Sequence, residues 1–116
     1  MTPIQNLDRG LSIVVPAFNE GPRLEETIND IVAAAAGQRY EIIIVNDGSA
    51  DDTGAIADRL ATTQDHLRVL HLETNQGVGA GFRAGLGAAR FEKLTLVPGD
   101  NAFSPKALET TFQAAY

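Results

Sequence analysis

The chain has 116 residues, enough for one domain with a real hydrophobic core, and its make-up is ordinary for a globular protein at 44% hydrophobic and 21% charged. A formal charge of -6 argues against a nucleic-acid backbone as partner. With no cysteine there is neither a disulfide nor a thiolate metal site; Met1 to Gly10 lacks an apolar signal core, and no stretch approaches the roughly 20 apolar residues of a membrane span.

Short β-branched runs bounded by turn residues predict buried parallel strands. Leu11 to Val15 is the first, expected to stop at Pro16, which cannot donate to a ladder. A helix follows from Pro22, with Glu25 and Glu26 in its first turn where the dipole favours negative charge. Leu24, Ile28, Ile31, Val32 and Ala35 recur on one face of it, and Gly37 is its expected stop. Glu41 to Val45 is the second strand. Ser49 is then expected to cap a helix carrying Asp51 and Asp52 in its first turn, with Ile56 and Leu60 facing inward. Leu67 to Leu72 is the third strand, Val78 to Ala89 the third helix and Leu94 to Val97 the fourth strand. Ser104 and Pro105 open a last helix that buries Leu108, Phe112 and Ala115.

Four strands alternating with four helices imply right-handed βαβ units, hence an α/β fold with a mostly parallel four-strand sheet and helices on both faces. The expectation is a single domain over 1–116, the nucleotide-binding half of something longer or a truncated piece, with a sheet edge that wants cover. In such sheets ligands bind outside the carboxyl ends of the strands. Glu20, Asp47, the Asn75 to Gly81 segment and Asp100 each follow a strand, so they are expected to meet at one cleft.

Each of these residues has a chemical and a bland reading. Asp47, between Asn46 and Gly48, is an acceptor for a base N–H or a sugar hydroxyl, or simply a turn stabiliser. Gly77 and Gly79 open a helix whose backbone N–H groups favour anions, and Arg83 one turn on could reach the same phosphate. Gly85 reads instead as a packing residue. Asp100 beside Asn101 offers hard oxygen to Mg²⁺ or Mn²⁺, although Gly-Asp-Asn is also a common turn. Glu20 could hold a ribose hydroxyl or merely begin an acidic helix start. His66 and His71 have no partner at metal-ligand spacing and are assigned no role. Gly79-Ala80-Gly81-Phe82-Arg83-Ala84 fits the dinucleotide pattern G-x-G-x-x-G/A, but two complete βα units precede it, so a nicotinamide-binding domain ranks well behind.

Three motifs in order carry a family resemblance: Ser12 to Glu20 (Ser-Ile-Val-Val-Pro-Ala-Phe-Asn-Glu), Val45 to Ser49 followed by Asp51-Asp52-Thr53, and Asn75 to Gly81. From Leu11 to about Leu108 the chain resembles the family 2 glycosyltransferases, inverting enzymes of the GT-A fold with a Rossmann-like donor-binding half. Its motif form is nearest the polyprenyl-phosphate branch, of the dolichyl-phosphate mannose synthase kind. The resemblance implies that Pro16, Ala17 and Glu20 line the nucleotide pocket, with Glu20 toward the ribose and Asp47 on the base. It puts Asn75, Gly77 and Arg83 on the phosphate side and makes Asp100 the second carboxylate of an Asp-x-Asp metal motif. Pro98 stands where that motif has its first Asp.

The resemblance further implies transfer of a sugar from a nucleoside-diphosphate sugar, aided by Mg²⁺ or Mn²⁺, to an acceptor for which a polyprenyl phosphate is one candidate. No catalytic base is assigned. No nucleic acid is expected as partner, and a homodimer is left open. The expected location is cytoplasmic, at the cytoplasmic face of a membrane where a lipid phosphate is the acceptor. Pro98 and the early stop motivate a rival reading, a catalytically silent nucleotide-binding or interaction module.

Overall fold

The computed structural model describes residues 10–115. The N-terminal stretch read above for a signal core lies, but for Gly10, outside the described residues, as does Tyr116. Strands β1 (Leu11–Ala17), β2 (Tyr40–Asp47), β3 (Leu67–Leu72) and β4 (Lys93–Leu96) alternate with helices α1 (Pro22–Ala34), α2 (Thr53–Thr63), α3 (Val78–Ala88) and α4 (Pro105–Ala115). The sheet order is β3-β2-β1-β4 and every pairing is parallel, with Val14 opposite both Ile43 and Leu96. The α/β architecture expected from the sequence is borne out.

Alternation along buried strands sorts the core into two layers. Ile13, Val15, Ile42 and Ile44 face the side covered by Leu24, Ile28 and Ile31 of α1, Leu60 of α2, and Leu108 and Phe112 of α4. Val14, Ile43 and Val45 face the other side, with Phe82 and Ala84 of α3 packed on them. Gly85 lets α3 sit close, because a Cβ there would lie 2.5 Å from a Val14 methyl. Its reading as a packing glycine is thereby supported.

Several boundaries differ from expectation. Pro16 does not end β1: it lies opposite Val45, and its carbonyl accepts the Gly99 N–H at 3.0 Å. A strand residue's N and C=O point to the same side, so the missing donor of Pro16 faces the β4 side, past Leu96 where that strand has ended. β2 runs on through Asn46 and Asp47. Ser49 does not cap α2, which starts at Thr53 with Asp51 and Asp52 still outside it. α1 ends at Ala34, before Gly37, and its first turn holds Glu25 alone of the two acidic residues. Ser104 does cap α4, its hydroxyl accepting the Ala107 N–H at 3.1 Å.

Connectivity creates one special place. The chain steps outward from β1 to β2 to β3, then returns to the far side of β1 as β4. Loops leaving β1, β2 and β4 lead to helices on one face while the β3 loop leads to α3 on the other, and a crevice opens at the carboxyl ends beside β1.

Candidate functional site

A cavity of about 160 Å³ occupies that crevice, lined by Pro16, Ala17, Phe18, Glu20, Asp47, Val78, Pro98 and Asp100. Glu20, Asp47 and Asp100, far apart along the chain, thus face a common space, as do Pro16 and Ala17. Asn75 and Gly77 do not line it; they join it through Asp47. Arg83 is exposed on α3 and forms no part of the wall. Phe18, Val78 and Pro98 are wall residues that the reading of the sequence had not marked for this purpose. Their signal was available: Phe18 and Val78 are apolar residues inside the polar loop motifs.

Two interlocked loops hold Glu20. Asn19 takes a left-handed backbone (φ 52°), its N–H donates to Ser49 Oγ at 3.0 Å, and its Oδ1 accepts the Ala50 N–H at 2.8 Å. Thr53, fully buried, accepts the backbone N–H groups of Glu20 and Gly21 at 2.9 and 3.0 Å and donates to Asp51 Oδ1. The hydroxyl of Thr53 therefore satisfies N–H groups at the start of α1 from another helix, a task no Gly21 side chain could perform. The Asp51-Asp52-Thr53 motif serves both places: Thr53 holds the β1 loop, while Asp51 Oδ1 accepts the Thr53 N–H at 2.9 Å at the start of α2.

Asp47 as a residue is 3% exposed, and its carboxylate takes three donors from the segment after β3. Oδ1 accepts the Gln76 N–H at 2.8 Å, while Oδ2 accepts the Gly77 N–H at 2.8 Å and Asn75 Nδ2 at 3.0 Å. A carboxylate has about four acceptor sites, so one remains for a ligand. Gly48 makes the approach of the two loops feasible. Its φ is 68°, and a Cβ there would stand 2.4 Å from the Thr74 carbonyl carbon and the Asn75 nitrogen.

On the third side, Gly99 is held by its N–H bond to the Pro16 carbonyl, and the Thr27 hydroxyl shares its one proton between the Arg23 carbonyl at 2.9 Å and the Gly99 carbonyl at 3.2 Å. Asp100 Oδ1 accepts the Ala102 N–H at 3.1 Å, and Asn101 reaches back to Glu26. Burial pushes the Glu20 carboxyl up from its ordinary value; Arg23, 2.8 Å away, pulls it down, and the nearby charges of Asp100 and Asp51 push it up again. Negative potential accumulates where Glu20 and Asp100 meet, so a cationic ligand or an ion-bound anion is favoured there.

Among the described residues no group of three His, Cys, Asp or Glu side chains could hold a metal by itself. Pro98 forms part of the cavity wall beside Asp100. The dinucleotide pattern fares worse: Gly79 to Ala84 lies wholly inside α3 instead of forming a strand-to-helix turn. No helix among the described residues is long and apolar enough to cross a membrane.

Comparison with known proteins gives this arrangement a context. Glycosyltransferase GlyG of Streptococcus pneumoniae is 35% identical over 103 residues, covering 89% of this chain and 34% of its own. Dodecaprenyl-phosphate galacturonate synthase of Rhizobium johnstonii is 35% identical over 107 residues, covering 90% of this chain and 31% of its own. This chain thus spans about a third of the length of those relatives. Among solved structures, S. aureus TarS 1-349 in complex with UDP superposes with a TM-score of 0.73 at 28% identity, over 91% of this chain and 31% of that one. Mannosyltransferase PcManGT from Pyrobaculum calidifontis, solved with GDP-Man and Mn²⁺, shares the fold with a TM-score of 0.71 at 23% identity, over 78% of this chain and 27% of that one. The family model for glycosyl transferase family 2 matches residues 12–116, and with the three ordered motifs folded around one cavity the chain belongs to that family.

Proposed function

We propose that this chain is the donor-binding region of an inverting glycosyltransferase that takes its sugar from a nucleoside-diphosphate sugar. The observation that carries the reading is the meeting of Glu20, Asp47 and Asp100 at the cavity between the ends of β1 and β4. In it, Pro16 and Ala17 provide the floor, Glu20 accepts a ribose hydroxyl, and the remaining acceptor site of Asp47 takes an N–H of the base. Asn75 and Gly77, held by Asp47, form the phosphate side. Arg83 lies outside the cavity wall and reaches a diphosphate only as that ligand extends beyond it.

The residues fit a divalent cation that comes with the diphosphate better than one bound in advance. Mg²⁺ and Mn²⁺ accept hard oxygen, commonly from one or two carboxylates plus substrate phosphates, and keep several waters. Asp100 supplies such a carboxylate, with its orientation fixed by the Ala102 N–H. When bound, the cation would offset the charge that develops on the departing diphosphate.

The reaction is an in-line displacement: an acceptor oxygen bonds to the anomeric carbon as the bond from that carbon to the diphosphate oxygen breaks. The chain's own part is to bind and orient the donor and to aim the N-terminal dipole of α3, which starts at Val78, and Arg83 at the growing negative charge. A polyprenyl phosphate acceptor is already an anion and needs no base. An alcohol acceptor needs one, and none of the residues lining the cavity is assigned to that task.

Isothermal titration calorimetry with UDP and with GDP, each with and without Mn²⁺, tests the reading. Binding that Mn²⁺ strengthens and Asp47→Ala abolishes is expected; the absence of binding by wild type would refute it. Pro98 favours a second reading, a nucleotide-binding module without transfer, and release of sugar from a nucleotide-sugar donor would reject that one.

A further inference from the structure

His71, on β3 outside the cavity, ends a chain of hydrogen bonds that leads into the site. Its Nε2 lies 2.8 Å from Asp58 Oδ1 on α2, and its Nδ1 lies 3.0 Å from Asn46 Nδ2, directly across in the β2–β3 ladder. The other end of that amide, Asn46 Oδ1, accepts the Ser49 N–H at 3.2 Å. Ser49 in turn receives the Asn19 N–H, so the chain reaches the loop that carries Phe18 and Glu20. Asn46 is buried, and the fit around it is tight: a Cβ on Gly54 would stand 2.8 Å from its Nδ2.

Donor and acceptor logic fixes every proton in this chain. The Ser49 N–H can only donate, so the amide oxygen of Asn46 must face it and the amide NH₂ must face His71. Nδ1 of His71 is then the acceptor, and the ring proton sits on Nε2, where it donates to Asp58. A proton on Nδ1 would set donor against donor. Turning the Asn46 amide over would mend that contact only by placing NH₂ against the Ser49 N–H.

We propose that His71 is a positioning residue for the nucleotide site, holding the Asn46–Ser49 turn through Asn46 in its neutral, Nε2-protonated form only. Nucleotide binding is thereby linked to release of the Nδ1 proton. This rests on the donor-binding reading above for its functional consequence, though the proton arrangement itself does not. From α2 the charged group facing the ring is Asp58, and from β2 it is the uncharged Asn46. Asp47, next to it, points to the opposite side of β2 and engages residues 75–77. On β3 itself Arg68 is bound to Glu41 at the other end of the strand. Asp58 accepts from Nε2 whichever form the ring takes, so the two forms differ at Nδ1, where a proton would face the Asn46 NH₂.

Histidine ordinarily exchanges its proton between about pH 5 and 8, so a series across that range reads the device. UDP and GDP are titrated into wild type, His71→Asn and His71→Leu. In His71→Asn the side-chain oxygen lies near the former Nδ1, accepts from Asn46 and does not titrate. We expect wild-type affinity to fall about tenfold from pH 7.5 to 5.5 relative to His71→Asn, and His71→Leu to be about tenfold weaker than His71→Asn at pH 7.5. The phosphate titration of the nucleotide is common to all three proteins and cancels. Parallel pH profiles for wild type and His71→Asn, or equal affinities for the Asn and Leu variants, would overturn the proposal.

A second arm uses ¹⁵N NMR of wild type without nucleotide. The Ser49 amide and the Asn46 side-chain NH₂ should shift with the His71 imidazole midpoint, and the neutral ring should carry its proton on Nε2. A neutral ring protonated on Nδ1, or resonances that stay flat as His71 titrates, would overturn the proposal whatever the nucleotide does. If wild type binds neither UDP nor GDP at any pH, the donor-binding reading falls and this second arm alone decides for His71.

Discussion

Replacing Asp47 by Asn tests how the loops are locked together, because the two side chains have nearly the same shape. The best orientation of the amide keeps its oxygen where Oδ2 was, still accepting the Gly77 N–H and Asn75 Nδ2. Its NH₂ then confronts the Gln76 N–H, which now donates to Oδ1 at 2.8 Å. One charge-assisted bond is lost, at about 1.5–3 kcal/mol, and two others become neutral, at about 0.5 kcal/mol each. Asp47 is 3% exposed, so the misplaced NH₂ reaches water only through the cavity. Asn75 and Gln76 are exposed, however, and can recover solvent by peeling away. The sum is a loss of roughly 2–4 kcal/mol, which lowers a urea midpoint by about 1–2 M for a domain of this size. Urea unfolding followed by circular dichroism gives the number, and hydrogen exchange at Gln76 and Gly77 locates it. A variant within about 0.5 kcal/mol of wild type, with both amides still protected, would show that Asp47 does not hold this segment.

Other substitutions probe different parts. Glu41 is buried, which alone would raise its carboxyl, but the Arg90 N–H, the Ser12 hydroxyl and the Arg68 guanidinium outweigh this and hold it below the usual range. Its contribution is therefore complete above the ordinary carboxyl value of 4.5 and is lost as pH falls through the lower folded value. Glu41→Gln should be less stable than wild type at pH 7, with the gap narrowing below about pH 4.5; a constant gap in urea midpoints from pH 7 to 3 would contradict this. Gly85→Ala places a methyl 2.5 Å from buried Val14 and should cost about 1–3 kcal/mol despite alanine's better helix propensity, so an unchanged or raised melting temperature would refute the packing role. Asp100→Asn should remove the Mn²⁺-dependent part of nucleotide affinity and leave the rest, whereas full retention of the Mn²⁺ effect would remove Asp100 from the metal role. Arg83→Ala should weaken UDP and GDP but not the corresponding nucleosides, measured by the same calorimetry; equal loss for both would place Arg83 away from the phosphates.

The element order and core faces were legible because they follow from periodicity alone. Ile28 and Ile31 repeat at helical spacing, and Ile42 to Val45 form a run with no polar break, so each side chain could be sent to a face without knowing its neighbours. The boundaries went astray where a long-range partner decides them. Pro16 remains in β1 because the residues beside it at 98–99 lie past the end of β4, a fact about another strand. Ser49 looks like a cap next to an acidic turn, yet its hydroxyl is taken by Asn19; Asp51 accepts the first N–H of α2, and the Thr53 hydroxyl is used across the chain for Glu20 and Gly21. His71 has no partner at metal-ligand spacing, so no local pattern marks it. Its partners sit at 46 and 58, on neighbouring elements, and a ladder register that no local pattern reveals brings them together. Arg83 is a different case: its guanidinium folds back to the start of α3, where a Cβ on Gly79 would lie 3.5 Å from Nη1, yet it lines no part of the cavity, so its place on the phosphate side stays a proposal.

The most direct trial is a crystal structure of the protein grown with UDP or GDP and Mn²⁺. The nucleotide should lie across the carboxyl ends of β1 and β4, with its base beside Asp47, its ribose at Glu20 and the cation between Asp100 and the diphosphate. A nucleotide seated instead at the opposite edge of the sheet, in the hollow among Tyr40, Arg68 and Phe91, would contradict the shared role of those three carboxylates.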